Sequence, residues 1–305
     1  NGWSALANLE SGFGTNTGEL STPDTLFDRA SNAGLQHDNY GQLTIGTHLV
    51  MNQDIADIDP MTLQLYGINT LVNGANEGTA ENSVLYRSPD WNGFSVGLMR
   101  EFGAISGYSD RSSGTGISLA YHSNDLTIRA IHQSRKDEFG RHSGGKYYGM
   151  GSFSQWIYVK TYTLGAAYDF GDLKAYVGYE YVEAPESGFT IQGTTDDEAS
   201  MAWLGVNYQL TEKTELLAAW YGNKMDYSQK ESDLITLGVN YYWTPAVTVY
   251  ATFGYVSNNE APDELTNTVG NNSHALNYQE QACSAIDDCN GSSQTGAYFG
   301  ITINL

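Results

Sequence analysis

Apolar and polar positions alternate along most of this chain. At the end of the chain, Gln294–Leu305 reads Q-T-G-A-Y-F-G-I-T-I-N-L. Ala297, Phe299, Ile301, Ile303 and Leu305 fall on one face, and Tyr298, Gly300, Thr302 and Asn304 on the other. A period of two is that of a strand with one apolar and one polar or small face. Ile235, Leu237, Val239 and Tyr241 likewise oppose Thr236, Gly238, Asn240 and Tyr242. Val247, Val249, Ala251, Phe253 and Tyr255 oppose Thr248, Tyr250, Thr252 and Gly254. Fourteen strand-like segments can be read: Ser4–Glu10, Leu26–Leu35, Leu43–Leu49, Ser83–Ser88, Phe94–Glu101, Gly116–His122, Leu126–Gln133, Val159–Phe170, Leu173–Val182, Ala199–Leu210, Glu215–Tyr221, Leu234–Tyr242, Val247–Val256 and Gly296–Leu305. One such strand suits a soluble sandwich equally well. Fourteen in succession, with aromatics at their ends and no helical stretch between them, predict an all-β transmembrane antiparallel β-barrel whose outer face meets lipid and inner face water.

The connections strengthen that expectation, because short and long ones alternate. The short ones are Asp38–Gln42, Pro89–Gly93, Ser123–Asp125, Gly171–Asp172, Thr211–Thr214 and Thr244–Ala246. The long ones are Ser11–Thr25, Val50–Asn82, Phe102–Thr115, Ser134–Tyr158, Glu183–Glu198, Gly222–Asp233 and Ser257–Thr295. Short turns on one rim and long loops on the other are a property of outer-membrane barrels. Tyr40, Trp91, Tyr121, Tyr168, Phe170, Tyr208, Tyr241, Tyr242 and Trp243 cluster beside the short turns. Amphipathic rings prefer the membrane–water boundary, so this group reads as a periplasmic girdle.

Composition narrows the function. The chain has 305 residues, a length that one barrel domain can occupy whole, and 35 Asp and Glu against 14 Lys and Arg, a formal charge of −21. That balance excludes a nucleic-acid partner, since phosphate binding needs clustered cations. Gly at 34 and Tyr at 22 suit packed strands and interfacial belts. No apolar run approaches the roughly 18 residues of a spanning helix, a test that barrels escape because only alternate residues face lipid. No G-x-S-x-G, H-E-x-x-H or paired-carboxylate motif stands out, so no catalytic residue, metal site or cofactor is assigned. Cys283 and Cys289 read as a disulfide in an oxidising compartment, since C-x5-C without a nearby His pair is poor zinc spacing.

The run L-F-D-R-A-S-N-A-G-L at Leu26–Leu35, Y-G-Q-L-T-I-G at Tyr40–Gly46, N-S-V-L-Y-R-S-P-D-W-N-G-F at Asn82–Phe94 and the final strand together resemble the general porins of Gram-negative outer membranes. The resemblance covers essentially the whole chain. It implies a trimeric, sixteen-stranded barrel and passive diffusion of small hydrophilic solutes. N-G-W-S-A-L-A-N-L-E at the start is similar to the family's third strand, so the chain as given is expected to lack a first hairpin. A true fourteen-stranded barrel is the other reading. The last residue, Leu305, departs from the family's usual Phe.

The resemblance also implies that Val50–Asn82 folds into the barrel and narrows the pore. Its half M-N-Q-D-I-A-D-I-D-P carries Asp54, Asp57 and Asp59, and its other half is apolar, with Met61, Leu63, Leu65, Tyr66, Ile68, Leu71 and Val72. A solvated loop rarely needs such residues, whereas one packed on an inner wall does. The three Asp read as pore lining, against ordinary solvation or calcium capture. Facing loop carboxylates, the family presents arginines. Arg87 matches one such position; at another, commonly Gly-Arg, this chain has Gly46-Thr47-His48, and His48 replaces the fixed charge only in part. Arg129 faces the lumen if Leu126 and Ile128 face lipid, either at the constriction or in a wall ion pair. The expected balance favours cations. A substrate-selective sugar channel is the alternative, its candidate aromatics being Tyr147, Tyr148, Phe153, Trp156 and Tyr158, which self-packing or a neighbouring subunit explains as well. Acidic clusters at Asp196–Glu198, Glu260–Glu264 and Asp287–Asp288 are candidates for divalent cations that bridge lipopolysaccharide.

Overall fold

A computed structural model describes residues 2–14, 16–64, 66–71, 76, 78–103, 105–143, 157–186, 198–225, 231–258 and 293–304. Fourteen strands follow one another: β1 (Trp3–Glu10), β2 (Ala30–His37), β3 (Gly41–Leu49), β4 (Thr79–Arg87), β5 (Phe94–Glu101), β6 (Gly114–His122), β7 (Leu126–Arg135), β8 (Lys160–Asp169), β9 (Leu173–Glu183), β10 (Glu198–Thr211), β11 (Thr214–Met225), β12 (Glu231–Thr244), β13 (Val247–Asn258) and β14 (Ser293–Ile303). They form one antiparallel sheet in strict sequence order, each strand bonded to its neighbours in the chain. Among the described residues β1 and β14 are the two edges, and no pairing joins them.

Register converts the alternation into two surfaces. Phe299, Ile301 and Ile303 pair with Ala251, Val249 and Val247, so their apolar side chains share a face, and Phe299 is 83% exposed. Ile235, Leu237 and Tyr241 stand exposed on the same outward side, while Thr236 between them is buried. In β7 Ile128 is exposed and Arg129 buried, so the arginine faces inward as its spacing predicts. A surface of apolar side chains open to the surroundings is what a lipid-facing wall requires.

The strand read at Leu26–Leu35 begins later, at Ala30. Leu26 and Phe27 belong to a loop that side chains have tied down: the Gly12 amide donates to Asp28 Oδ1 at 2.8 Å, and Arg29 pairs with Glu10. A carboxylate that accepts local backbone hydrogen bonds competes with the ladder, and here it overrides the apolar pattern. The aromatic girdle is exposed at Tyr40, Trp91, Tyr168, Phe170, Tyr208, Tyr241 and Trp243. Tyr242 departs from it: it turns inward and donates to Glu215 Oε2 at 2.8 Å.

The apolar core lies between the sheet's inner face and the loop after β3. Met51, Ile55, Ile58, Met61, Ile68 and Leu71 are fully buried against Ile131, Trp203, Leu217, Tyr221 and Leu234. Burial of this kind contributes roughly 1.5–3 kcal/mol per large side chain. The barrel is therefore filled on one side by its own chain.

Candidate functional site

The inward loop begins as a 3₁₀ helix, Met51–Ile58, and packs along β6, β7, β8 and β9. Its approach depends on glycines at inward positions of the wall. A Cβ on Gly116 would lie 2.6 Å from Met51 Cβ, one on Gly165 2.5 Å from Ile58 Cδ1, and one on Gly205 2.4 Å from Pro60 Cγ. These distances are below van der Waals contact, so only glycine lets the loop seat so close. The seat is finished by Trp203 Nε1, which donates to the Ile58 carbonyl at 2.8 Å, and by Thr236, which donates to the Tyr66 carbonyl.

One edge of the helix carries charge. Arg87 on β4 reaches Asp54 with both terminal nitrogens, at 2.6 and 2.8 Å. Arg129 on β7 lies 3.5 Å from Asp54, donates to Ser118 Oγ at 3.1 Å, and pairs with Asp57. Asp57 is in turn 3.8 Å from His122 Nε2. The Asp57 and Arg87 side chains are 38% and 37% exposed, whereas those of Asp54 and Arg129 are nearly covered. Burial by itself would raise the Asp54 carboxyl, but Arg87, Ser118 and Arg129 together outweigh it and hold that carboxyl below the usual range. The two guanidiniums and two carboxylates thus balance in direct contact, on one wall. The resemblance implied arginines facing the loop carboxylates across the constriction, with a wall ion pair as the other reading for Arg129.

Two other predicted residues sit elsewhere. Asp59 is fully buried and faces no lumen. Its carboxyl accepts the Met61 and Leu63 amides, at 3.3 and 2.7 Å, and the Tyr221 hydroxyl, which folds the chain after Pro60 into a turn. Burial raises this carboxyl despite those bonds. His48 is also buried, held between Thr44 Oγ1 at 2.8 Å and Ser83 Oγ at 2.7 Å. Ser83 Oγ also lies within reach of two backbone carbonyls. Assigning the proton to Nδ1 satisfies the group, with Nδ1–H donating to Ser83 and Nε2 accepting from Thr44. A bulge at Gly46–His48, where Gly46 has φ of +134°, aims this imidazole into the wall. It is a strut in the wall, where the sequence suggested a partial replacement for a pore charge.

Sequence reasoning passed over the polar layer that seats the helix. Asn52 donates to Asn76 at 3.1 Å and to Thr161 at 2.7 Å, and Asn76 Nδ2 donates to Glu180 at 3.2 Å. The Thr163 hydroxyl gives Glu180 its second bond, at 2.8 Å. The available signal was a string of polar and glycine residues at inward positions of β7–β9. Tyr147, Tyr148, Phe153, Trp156, Cys283 and Cys289, and the acidic clusters apart from Glu198, lie outside the described residues. Tyr158 is described, just before β8.

An antiparallel membrane sheet that wraps its own inward, charge-bearing loop defines an outer-membrane β-barrel of the channel-forming class. The chain belongs to the Gram-negative porin family, whose model matches residues 1–261. An outer membrane porin protein of Bordetella pertussis is 21% identical over 285 residues, covering 84% of this chain and 74% of that protein. Among solved structures, the anion-selective porin from Comamonas acidovorans aligns with a TM-score of 0.71 at 20% identity, over 99% of this chain and 85% of its own. The trimer form of OmpT from Vibrio cholerae aligns at 0.58 with 14% identity, over 92% and 83%. At such identities the structural likeness carries the fold. The protein resides in the outer membrane, and its family consists of channels rather than enzymes.

Proposed function

We propose that the chain forms a passive diffusion channel for small hydrophilic solutes and ions, narrowed by residues 50–78. The observation that carries this reading is the seated helix Met51–Ile58. It occupies one inner wall and leaves Asp57 and Arg87 partly open to water. Fixed charges at a constriction bias ions without binding them tightly, as passive conduction requires.

The ion preference in this account is for cations, and it is weak. The constriction pairs are balanced, so the bias comes from the acidic excess of the chain, 35 carboxylates against 14 basic side chains. Closure is part of the proposal as well. Lipid tolerates no unpaired backbone edge, so β1 and β14 must both be paired in the membrane. Assembly as a homotrimer, contacts with lipopolysaccharide and the disulfide Cys283–Cys289 complete the reading. Liposome swelling tests it. Vesicles carrying the protein should admit small uncharged solutes at rates that fall steeply with solute size. Vesicles that stay as tight as protein-free controls would refute the channel.

A further inference from the structure

The inward loop reaches as far as Thr236 on β12, and the inner wall continues past that contact along the rest of β12 and through β13 and β14. Its inward positions include Ser232, Thr236, Asn240, Tyr242, Tyr250 and Tyr298, and no inward position on these three strands holds a Lys, Arg, Asp or Glu. The strands' two acidic residues, Glu231 and Asp233, point outward. Glu215 on the neighbouring β11 faces the same side and brings one carboxylate to the border of this otherwise uncharged wall.

The geometry there favours a ligand other than an ion. Tyr250 lies flat over the wall, because a Cβ on Gly300 would fall 2.4 Å from its hydroxyl and 2.5 Å from Cζ. Only glycine at 300 leaves room for the ring in that pose. Tyr298 sits diagonally from Tyr250, with ring centroids 5.9 Å apart and planes tilted by 43°, and it is 38% exposed. One strand along, Tyr242 and Asn240 both donate to Glu215 Oε2, at 2.8 and 2.9 Å, which fixes a carboxylate and an amide beside the rings.

We propose that this face binds neutral oligosaccharides. A sugar has a C–H face and a rim of hydroxyls. The tyrosine rings offer apolar faces for the first, while Glu215 and the phenol hydroxyls offer bonding partners for the second. The inference rests on the channel reading and gives that channel a solute class.

The test is single-channel current in planar bilayers with maltotriose added. The wild-type channel should show a reduction in current that saturates with sugar concentration. The Tyr250→Ala/Tyr298→Ala variant should need roughly fivefold more sugar, as expected when two ring contacts are lost. Tyr298→Thr, the milder change on an edge strand, should weaken the block about twofold by the same arithmetic. Tyr241→Ala, on the outward face, should leave it unchanged. A linear reduction that poly(ethylene glycol) of equal size reproduces would overturn the proposal while leaving the channel intact. An equal block in all variants would overturn the assignment to this face. Absence of any conductance would overturn the channel reading beneath it.

Discussion

Replacing Asp54 with Asn separates the two jobs that the constriction charges perform. The substitution keeps the side chain's shape and an acceptor oxygen, but removes the charge that both Arg87 and Arg129 approach, at 2.6 and 3.5 Å. Exposed ion pairs contribute about 0–1 kcal/mol, and breaking a buried one costs about 3–5 kcal/mol. Asp54 is covered and Arg87 is more than a third exposed, so the loss should lie between these, about 2 kcal/mol. Against it stand Met51, Ile55 and Ile58, each fully buried and together worth roughly 5–9 kcal/mol. The loop should therefore stay seated while one positive charge goes uncompensated. A unit charge roughly 8 Å from a passing ion in water amounts to about 0.5 kcal/mol, a factor of about two in local ion ratio, and salt screens part of it. Reversal potential under a potassium chloride gradient should move toward anions by about that factor, with single-channel conductance nearly unchanged. An unmoved reversal potential would mean that these charges lie off the ion path. A severalfold rise in conductance would mean that the ion pair, and not the apolar contacts, holds the loop.

Filling the glycine cradle should have the opposite profile. Gly205→Val places a side chain where Pro60 Cγ lies 2.4 Å from the ideal Cβ, so the loop must lift and conductance should rise, measurable in the same bilayers. Labelling with a membrane-impermeant thiol reagent should modify Thr302→Cys and spare Ile301→Cys, because their register puts them on opposite faces; the reverse pattern would refute the register. Acid should act on the Asp54 latch. A carboxyl held below its usual value stabilises the docked loop above the unfolded range and loses that contribution as pH falls through the depressed value, so channel noise should stay flat from neutral pH and rise only below about pH 4. Asp59 has the reverse sign: its contribution is complete below the ordinary carboxylate range and is lost as pH rises through its raised value. Asp59→Asn should therefore reduce the dependence of loop docking on pH above the ordinary carboxylate range, read as proteolytic resistance of residues 50–78.

The strand order and the inward face of Arg129 were legible because lipid and water impose a period of two on every strand. The loop after β3 was legible because apolar residues in a long connection must be covered. Charge roles were not. Nothing in the spacing of Asp54, Asp57 and Asp59 distinguishes a carboxylate that meets an arginine from one that caps a turn; that depends on which wall the helix lies against. His48 was misplaced for a related reason, since a one-residue bulge at Gly46 redirects it and bulges leave little trace in a polar–apolar pattern. Gly116, Gly165 and Gly205 read as ordinary strand glycines until the loop is seen above them.

The central claim is that ions pass beside the helix Met51–Ile58. It is tested most directly by recording one channel of an Ala56→Cys variant while a charged methanethiosulfonate is added. Ala56 lies on the less buried side of that helix, next to Asp57. The account predicts discrete steps of open current before addition and a lasting stepwise fall afterwards, with Ile55→Cys, whose parent side chain is fully buried, unaffected. Currents indifferent to modification at 56 would contradict the placement of the pore, and a bilayer that never conducts would contradict the channel itself.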